Sequence, residues 1–208
     1  MIVQWCLKGL ALPNRAEAEA ILESRGGLVS SWWRRVTRIS PAERRDKLTD
    51  ENLNYHINHF DDPVPNENFT YGDDSPYISL TSGGVERDAA AKTNYINSAL
   101  RTALWFGTDF GRQETAYVFT CWVVVAPRAA VAVETVAEEV RDLNTYRRYS
   151  EYQTEGEIVA KVIVPDNQVW GFDEWFWDRK TLTLDRVDRV PNPRFTPPSA
   201  LSNVRELI

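Results

Sequence analysis

The chain has 208 residues, 43% of them hydrophobic and 12% aromatic, with a formal net charge of −6. That length and apolar content support one sizeable core and argue against intrinsic disorder, while the negative charge argues against a surface that as a whole attracts nucleic acid or anionic membrane. No run of about 18 apolar residues occurs, so no segment reads as a membrane span.

The first eight residues show neither a basic leader nor a signal-type apolar core, so the expectation is a soluble, cytoplasmic chain, with delivery into another cell left open. Cys6 and Cys121 are far apart in sequence and match no metal-ligand spacing; two buried thiols, and no metal site, are expected. Residues 1–50 read as a helical N-terminal extension. Asn14 caps a run of helix formers, Arg15-Ala-Glu-Ala-Glu-Ala-Ile-Leu-Glu-Ser24, which Gly26-Gly27 stops. Ser30 or Ser31 opens a short helix with Trp32 and Trp33, and Ser40-Pro41-Ala-Glu43 is a capped start with Pro at the first helical position. Six basic residues, from Arg34 to Lys47, make this the most basic stretch of an acidic chain. It reads either as a solvated helical face or as a partner or substrate surface.

From Leu53 the texture changes. Residues 53–58 alternate, which predicts a strand with Leu53, Tyr55 and Ile57 on one face and Asn54, His56 and Asn58 on the other. His56 and His59 would then point to opposite faces and form no metal site. A polar loop leads to a short strand over residues 77–81, where Ser79 and Thr81 share a face. Ala91, Tyr95, Ala99, Ala103 and Phe106 recur at roughly helical spacing, predicting an amphipathic helix within residues 85–106 that Gly107 ends.

Residues 115–125 are β-branched and aromatic, the clearest strand in the chain. A helix or two over residues 136–149 leads into Tyr149-Ser-Glu-Tyr-Gln-Thr-Glu-Gly-Glu157, which delivers Glu155 and Glu157 to the entry of an apolar segment. Positions two apart share a face of an extended chain, so the two carboxylates repel unless a cation or an acceptor uses them. Residues 158–164, 169–172 and 180–190 read as further strands, and prolines mark residues 191–208 as a tail. Residues 51–190 form the main domain.

Three elements recur in a fixed order: the polar stretch at His56, the strand carrying Ser79-Leu-Thr-Ser82, and Glu155-Gly-Glu157. Together they resemble the ADP-ribosyltransferase family, in its cholera- and pertussis-toxin-like branch, over residues 53 to about 172. That branch places an Arg on its first strand, then a Ser-Thr-Ser strand, a helix, and a Glu/Gln-x-Glu after an aromatic loop. Two departures stand out: His56 occupies the place read as the Arg position, and the serine motif carries an inserted Leu80.

The resemblance implies an α+β fold of two small, mostly antiparallel sheets with helices and an NAD cleft. It implies transfer of ADP-ribose from NAD to a macromolecular acceptor, either protein arginine or nucleic acid, with an antitoxin or inhibitor as a further partner and no membrane. Glu157 would stabilise the cationic transition state, and Glu155 would orient or deprotonate the acceptor. His56, Ser79, Thr81 and Tyr95 would contact NAD or its pocket, with Ser79 bracing Glu157. Tyr149, Tyr152 and Gln153 would meet the acceptor, and Gln153-Thr-Glu155 offers a second register for the motif. An NAD glycohydrolase, or an inactive relative acting as a binding module, is the alternative.

Overall fold

The computed structural model of the protein describes residues 2–23, 26–36, 40–88, 93–97, 99–125, 133–140, 156–199 and 203–207. In chain order these form β1 (Ile2–Leu10), α1 (Arg15–Glu23), β2 (Gly27–Val29), α2 (Ser31–Arg35), α3 (Pro41–Lys47) and α4 (Asp50–Asn58). There follow β3 (Tyr77–Thr81), β4 (Gly84–Asp88), β5 (Thr93–Asn97), α5 (Ala99–Gly107) and β6 (Thr115–Val125). Last come β7 (Glu157–Lys161), β8 (Ile163–Pro165), β9 (Val169–Asp178), β10 (Thr183–Pro191) and β11 (Val204–Arg205).

A seven-stranded sheet runs β10-β9-β6-β1-β3-β7, with β11 pairing β1; β2-β8 and β4-β5 form two small two-stranded sheets. All pairs are antiparallel except β1-β11. The expected class, α+β with a mostly antiparallel sheet, is what the chain adopts.

The N-terminal segment departs from expectation. Helices α1, α2 and α3 do form, but the chain begins with β1, which lies inside the main sheet. It pairs with β6 from Ile2↔Val125 to Leu10↔Tyr117 and touches β3 at Leu7↔Thr81. The segment is therefore part of the sheet rather than a helical appendage. The physical reason is two-sided burial: Val3, Gln4, Cys6 and Leu7 are all buried, so the strand carries no period-2 alternation. The proline-rich tail likewise ends in β11, and Gln4 donates from its amide to the Arg205 carbonyl at 3.3 Å.

Residues 53–58 are helix, not strand. Thr49 caps α4 by accepting from the Asn52 N–H at 3.1 Å, and Asp50 and Glu51 occupy the first turn, where the helix dipole favours acids. Leu53, His56 and Ile57 are its buried residues, at helical spacing. The long helix expected over residues 85–106 is also corrected: β4 and β5 pair antiparallel there, and among the described residues of that span only α5 is helical. The capping reading of α3 holds, since Ser40 Oγ accepts from the Glu43 N–H while the Glu43 carboxylate accepts from the Ser40 N–H.

Three apolar clusters lie against the main sheet. The largest joins Ala18, Ile21 and Leu22 of α1 and Leu28 of β2 to Ile78, Leu80, Phe119, Cys121, Ile158 and Phe172. A second gathers Trp32, Leu48, Leu53 and Ile57 over Tyr77 and Val159, and a third seats Ala99, Ala103 and Leu104 of α5 on Leu7, Ala116 and Val118. Each fully buried large side chain contributes roughly 1.5–3 kcal/mol. Cys6 and Cys121 face each other in the β1-β6 register as free, buried thiols. Burial pushes the Cys121 thiol up to about 12, with Lys8 opposing, so it is protonated and unreactive at neutral pH.

Candidate functional site

The site is built where three strands meet. Leu7 of β1 pairs with Thr81 of β3, and Thr81 pairs with Glu157, the first residue of β7. Glu157 and Thr81 are buried, at 7% and 6% exposure, so a carboxylate sits largely out of water at the end of the ladder. Burying a carboxylate is costly without cations and donors around it, which is the reason to look for them.

The turn before β7 is set by Gly156. It has φ +61°, and a Cβ there would lie 2.0 Å from the Gly83 carbonyl oxygen. Only glycine fits both the left-handed backbone and the close approach. The Gly156 carbonyl accepts from Ser82 twice, from the N–H at 3.0 Å and from Oγ at 3.2 Å. Ser82, the last residue of the Ser79-Leu-Thr-Ser82 motif, therefore anchors the residue that aims Glu157. Sequence reasoning gave Ser82 no role.

His56 is not on the first strand. It comes from α4, is 5% exposed, and bonds Ser79 Oγ through Nε2 at 2.9 Å and Ser75 Oγ through Nδ1 at 2.7 Å. The rings of Phe60 and Tyr77 lie 5.6 and 5.7 Å away. Burial first, and the Lys8 charge second, pull the imidazole down to about 3, so it is neutral at physiological pH. One ring nitrogen then donates and the other accepts. Both nitrogens are engaged, and His56 holds β3 through Ser79; its place on α4 corrects the reading of residues 53–58 as a strand. Ser79, expected to brace Glu157, pairs with Val159 in the ladder, and its hydroxyl shares a hydrogen bond with His56.

The cation that sequence reasoning missed is Lys8. It stands on β1, the true first strand, where the resemblance had called for an arginine. Lys8 is half-buried, and its ammonium is pulled down to about 8 by desolvation first, with the Glu157 carboxylate opposing and Arg34 assisting. The same ammonium lowers His56. Lys8, Glu157, His56 and the Arg34 guanidinium of α2 thus share one electrostatic neighbourhood. The available signal was a lone lysine in an otherwise uncharged nine-residue strand, Ile2-Val-Gln-Trp-Cys-Leu-Lys-Gly-Leu10.

Of the other expected site residues, Glu155, Tyr149, Tyr152 and Gln153 lie outside the described residues. Tyr95 lies on β5, paired with Glu86 of β4, not on a helix. Among the described residues no group of three or more His, Cys, Asp or Glu side chains is arranged to hold a metal.

No protein-family model matches the sequence, and no curated protein matches it. Among solved structures, EcPltA aligns with a TM-score of 0.52 at 15% identity, covering 98% of this chain and 93% of that one. A double mutant of heat-labile enterotoxin aligns at 0.44 and 16% identity, covering 91% of this chain and 62% of that one. A buried-residue mutant of the E. coli heat-labile enterotoxin aligns at 0.43 and 17% identity, covering 91% and 76%. The chain is an α+β protein with the fold of EcPltA. At 15% identity, that likeness is one of fold.

Proposed function

We propose that the protein is a toxin-like, NAD-dependent mono-ADP-ribosyltransferase that modifies a macromolecular acceptor, either protein arginine or nucleic acid. The observation that carries this reading is the buried Glu157 carboxylate, paired with Thr81 at the head of β7 and set within the field of Lys8 on β1. The motif order and the fold shared with EcPltA support it.

These residues suit NAD, a dianionic diphosphate joined to ribose. A half-buried ammonium answers its negative charge, and a carboxylate answers a ribose that turns cationic. NAD supplies an activated glycosidic bond to nicotinamide. Glu157 accepts a hydrogen bond from a ribose hydroxyl and stabilises positive charge at the anomeric carbon. Lys8, mostly charged at neutral pH, draws the diphosphate side. Neutral His56 keeps Ser79, and with it β3, in place. Thr81 and Tyr95 take the NAD-contacting roles that the resemblance implies, while Glu155, Tyr149, Tyr152 and Gln153 serve the acceptor.

Nicotinamide release and ADP-ribose transfer, measured with labelled NAD and cell extract, test the reading. Glu157→Gln keeps the fold and loses about two to three decades in both activities, the roughly 3–4 kcal/mol a positioned charge contributes. Near wild-type turnover in that variant overturns the assignment. Glu155→Ala spares nicotinamide release and abolishes transfer.

A further inference from the structure

Lys161 and Glu138 form an ion pair of 2.7 Å in which both side chains have 0% exposure. The Lys161 ammonium also donates to the Val133 carbonyl at 3.0 Å. The pair lies away from solvent, and the catalytic reading does not use it. Its surroundings give it a task. β7 is the last strand in the sheet order, and among the described residues its outer side is met by one bridge, Glu138↔Val159. There the Glu138 N–H donates to the Val159 carbonyl at 2.9 Å, and the Val159 N–H donates to the Glu138 carbonyl at 2.8 Å. One residue earlier, Ala137 donates to the Val124 carbonyl of β6 at 2.8 Å. Residues 137–138 therefore clasp β6 and β7.

A bridge of one residue pair specifies its register weakly, because the neighbouring residues Ala137 and Val140 are also apolar and buried. A buried ion pair specifies register strongly, because any slip leaves two charges unpaired in an apolar layer. Glu157, Val159 and Lys161 alternate onto one face of β7, so a clasp fixed at Lys161 and Val159 also fixes the strand that begins with Glu157. We propose that Glu138 and Lys161 are a positioning pair, an ionic pin that holds the 133–140 segment in register on β7 and thereby holds Glu157 in place. The functional half of this inference rests on the ADP-ribosyltransferase reading; the register half does not.

The test is the double variant Glu138→Leu/Lys161→Met, which removes both charges and leaves apolar side chains in the layer. Its thermal midpoint is expected near that of the wild type, since replacing a buried ion pair by apolar groups costs little stability. The amide exchange of Val159 and Glu138 is expected to quicken at least tenfold, while amides of the β1-β6 ladder keep their protection. The kcat for nicotinamide release is expected to fall about a hundredfold with KM little changed, the effect of a misplacement of about 1 Å. Unchanged Val159 exchange overturns the pin. Faster exchange with wild-type kcat overturns the positioning role. A wild-type protein that releases no nicotinamide refutes the functional reading, and the exchange data still decide the pin. Should the double variant fail to fold, Glu138→Gln, which keeps the shape and is expected to lower the midpoint by leaving Lys161 without its ionic partner, is read by the same exchange and kcat outcomes.

Discussion

Gly156→Ala tests the geometry that aims Glu157. The left-handed φ of +61° costs a residue with a side chain about 1–2 kcal/mol. The added Cβ would also fall 2.0 Å from the Gly83 oxygen and 2.1 Å from its carbonyl carbon. Backbone atoms cannot turn aside as a flexible side chain can, so β3 and β7 must separate locally. Such overpacking costs about 1–3 kcal/mol. The separation also stretches the two hydrogen bonds from Ser82 to the Gly156 carbonyl, each contributing about 0.5–1.5 kcal/mol. A loss of about 3–5 kcal/mol follows, or roughly 6–20 °C in thermal midpoint for a domain of this size. Gly26→Ala is the control: its φ is +73°, but nothing lies within 4 Å of its added Cβ, so it bears the backbone cost alone. Scanning calorimetry of both variants, with nicotinamide release measured at 20 °C, separates clash from strain. Gly156→Ala should lose far more stability than Gly26→Ala, and about two decades of activity. Equal losses of stability in the two variants would refute the close-approach argument.

Two further predictions concern pH. His56 is held near 3 in the fold against about 6.5 when unfolded, so its contribution to stability is complete above pH 6.5 and is lost as pH falls toward 3, by up to about 3–5 kcal/mol; urea melts at pH 7 and 4.5 should show a steeper loss for wild type than for His56→Gln, and parallel slopes would count against the buried neutral imidazole. Lys8 titrates near 8, so kcat/KM should decline about tenfold per unit above that pH, while Lys8→Arg should hold its own level to pH 9.5; a flat wild-type profile would show that the Lys8 charge is not required.

Much of the fold could be read where composition marks a strand or where a cap is written locally. β3 and β6 stood out by β-branched content, α1 by its Asn14 cap, with the Glu17 N–H donating to Asn14 Oδ1 at 3.1 Å, and α3 by its capping box. β1 was obscure because its residues do not alternate and it lacks the long β-branched and aromatic run that marks β6. α4 was misread because Leu53, Tyr55 and Ile57 also satisfy a period of two; Leu53 and Ile57 are one helical turn apart, and Thr49-Asp50-Glu51 was the start signal that should have decided it. The site followed the same division. Glu157, Ser79 and Thr81 were singled out by the motif order behind the resemblance, and the ladder joins the last two to β7. Lys8 and Ser82 were missed because their roles exist only across strands distant in sequence.

The place of β1 in the sheet has a kinetic consequence. Its rungs on one side come from β6, which begins only at Thr115, and on the other from β3 and from β11 at Val204. During synthesis β1 is made before any of its partners, so its two hydrogen-bonding edges wait for most of the sequence up to β6 and β11. Loop closure over such distances is slow, and an unpaired apolar edge invites pairing with other chains meanwhile. The Ile2–Leu10 ladder therefore cannot close before β6 has been made.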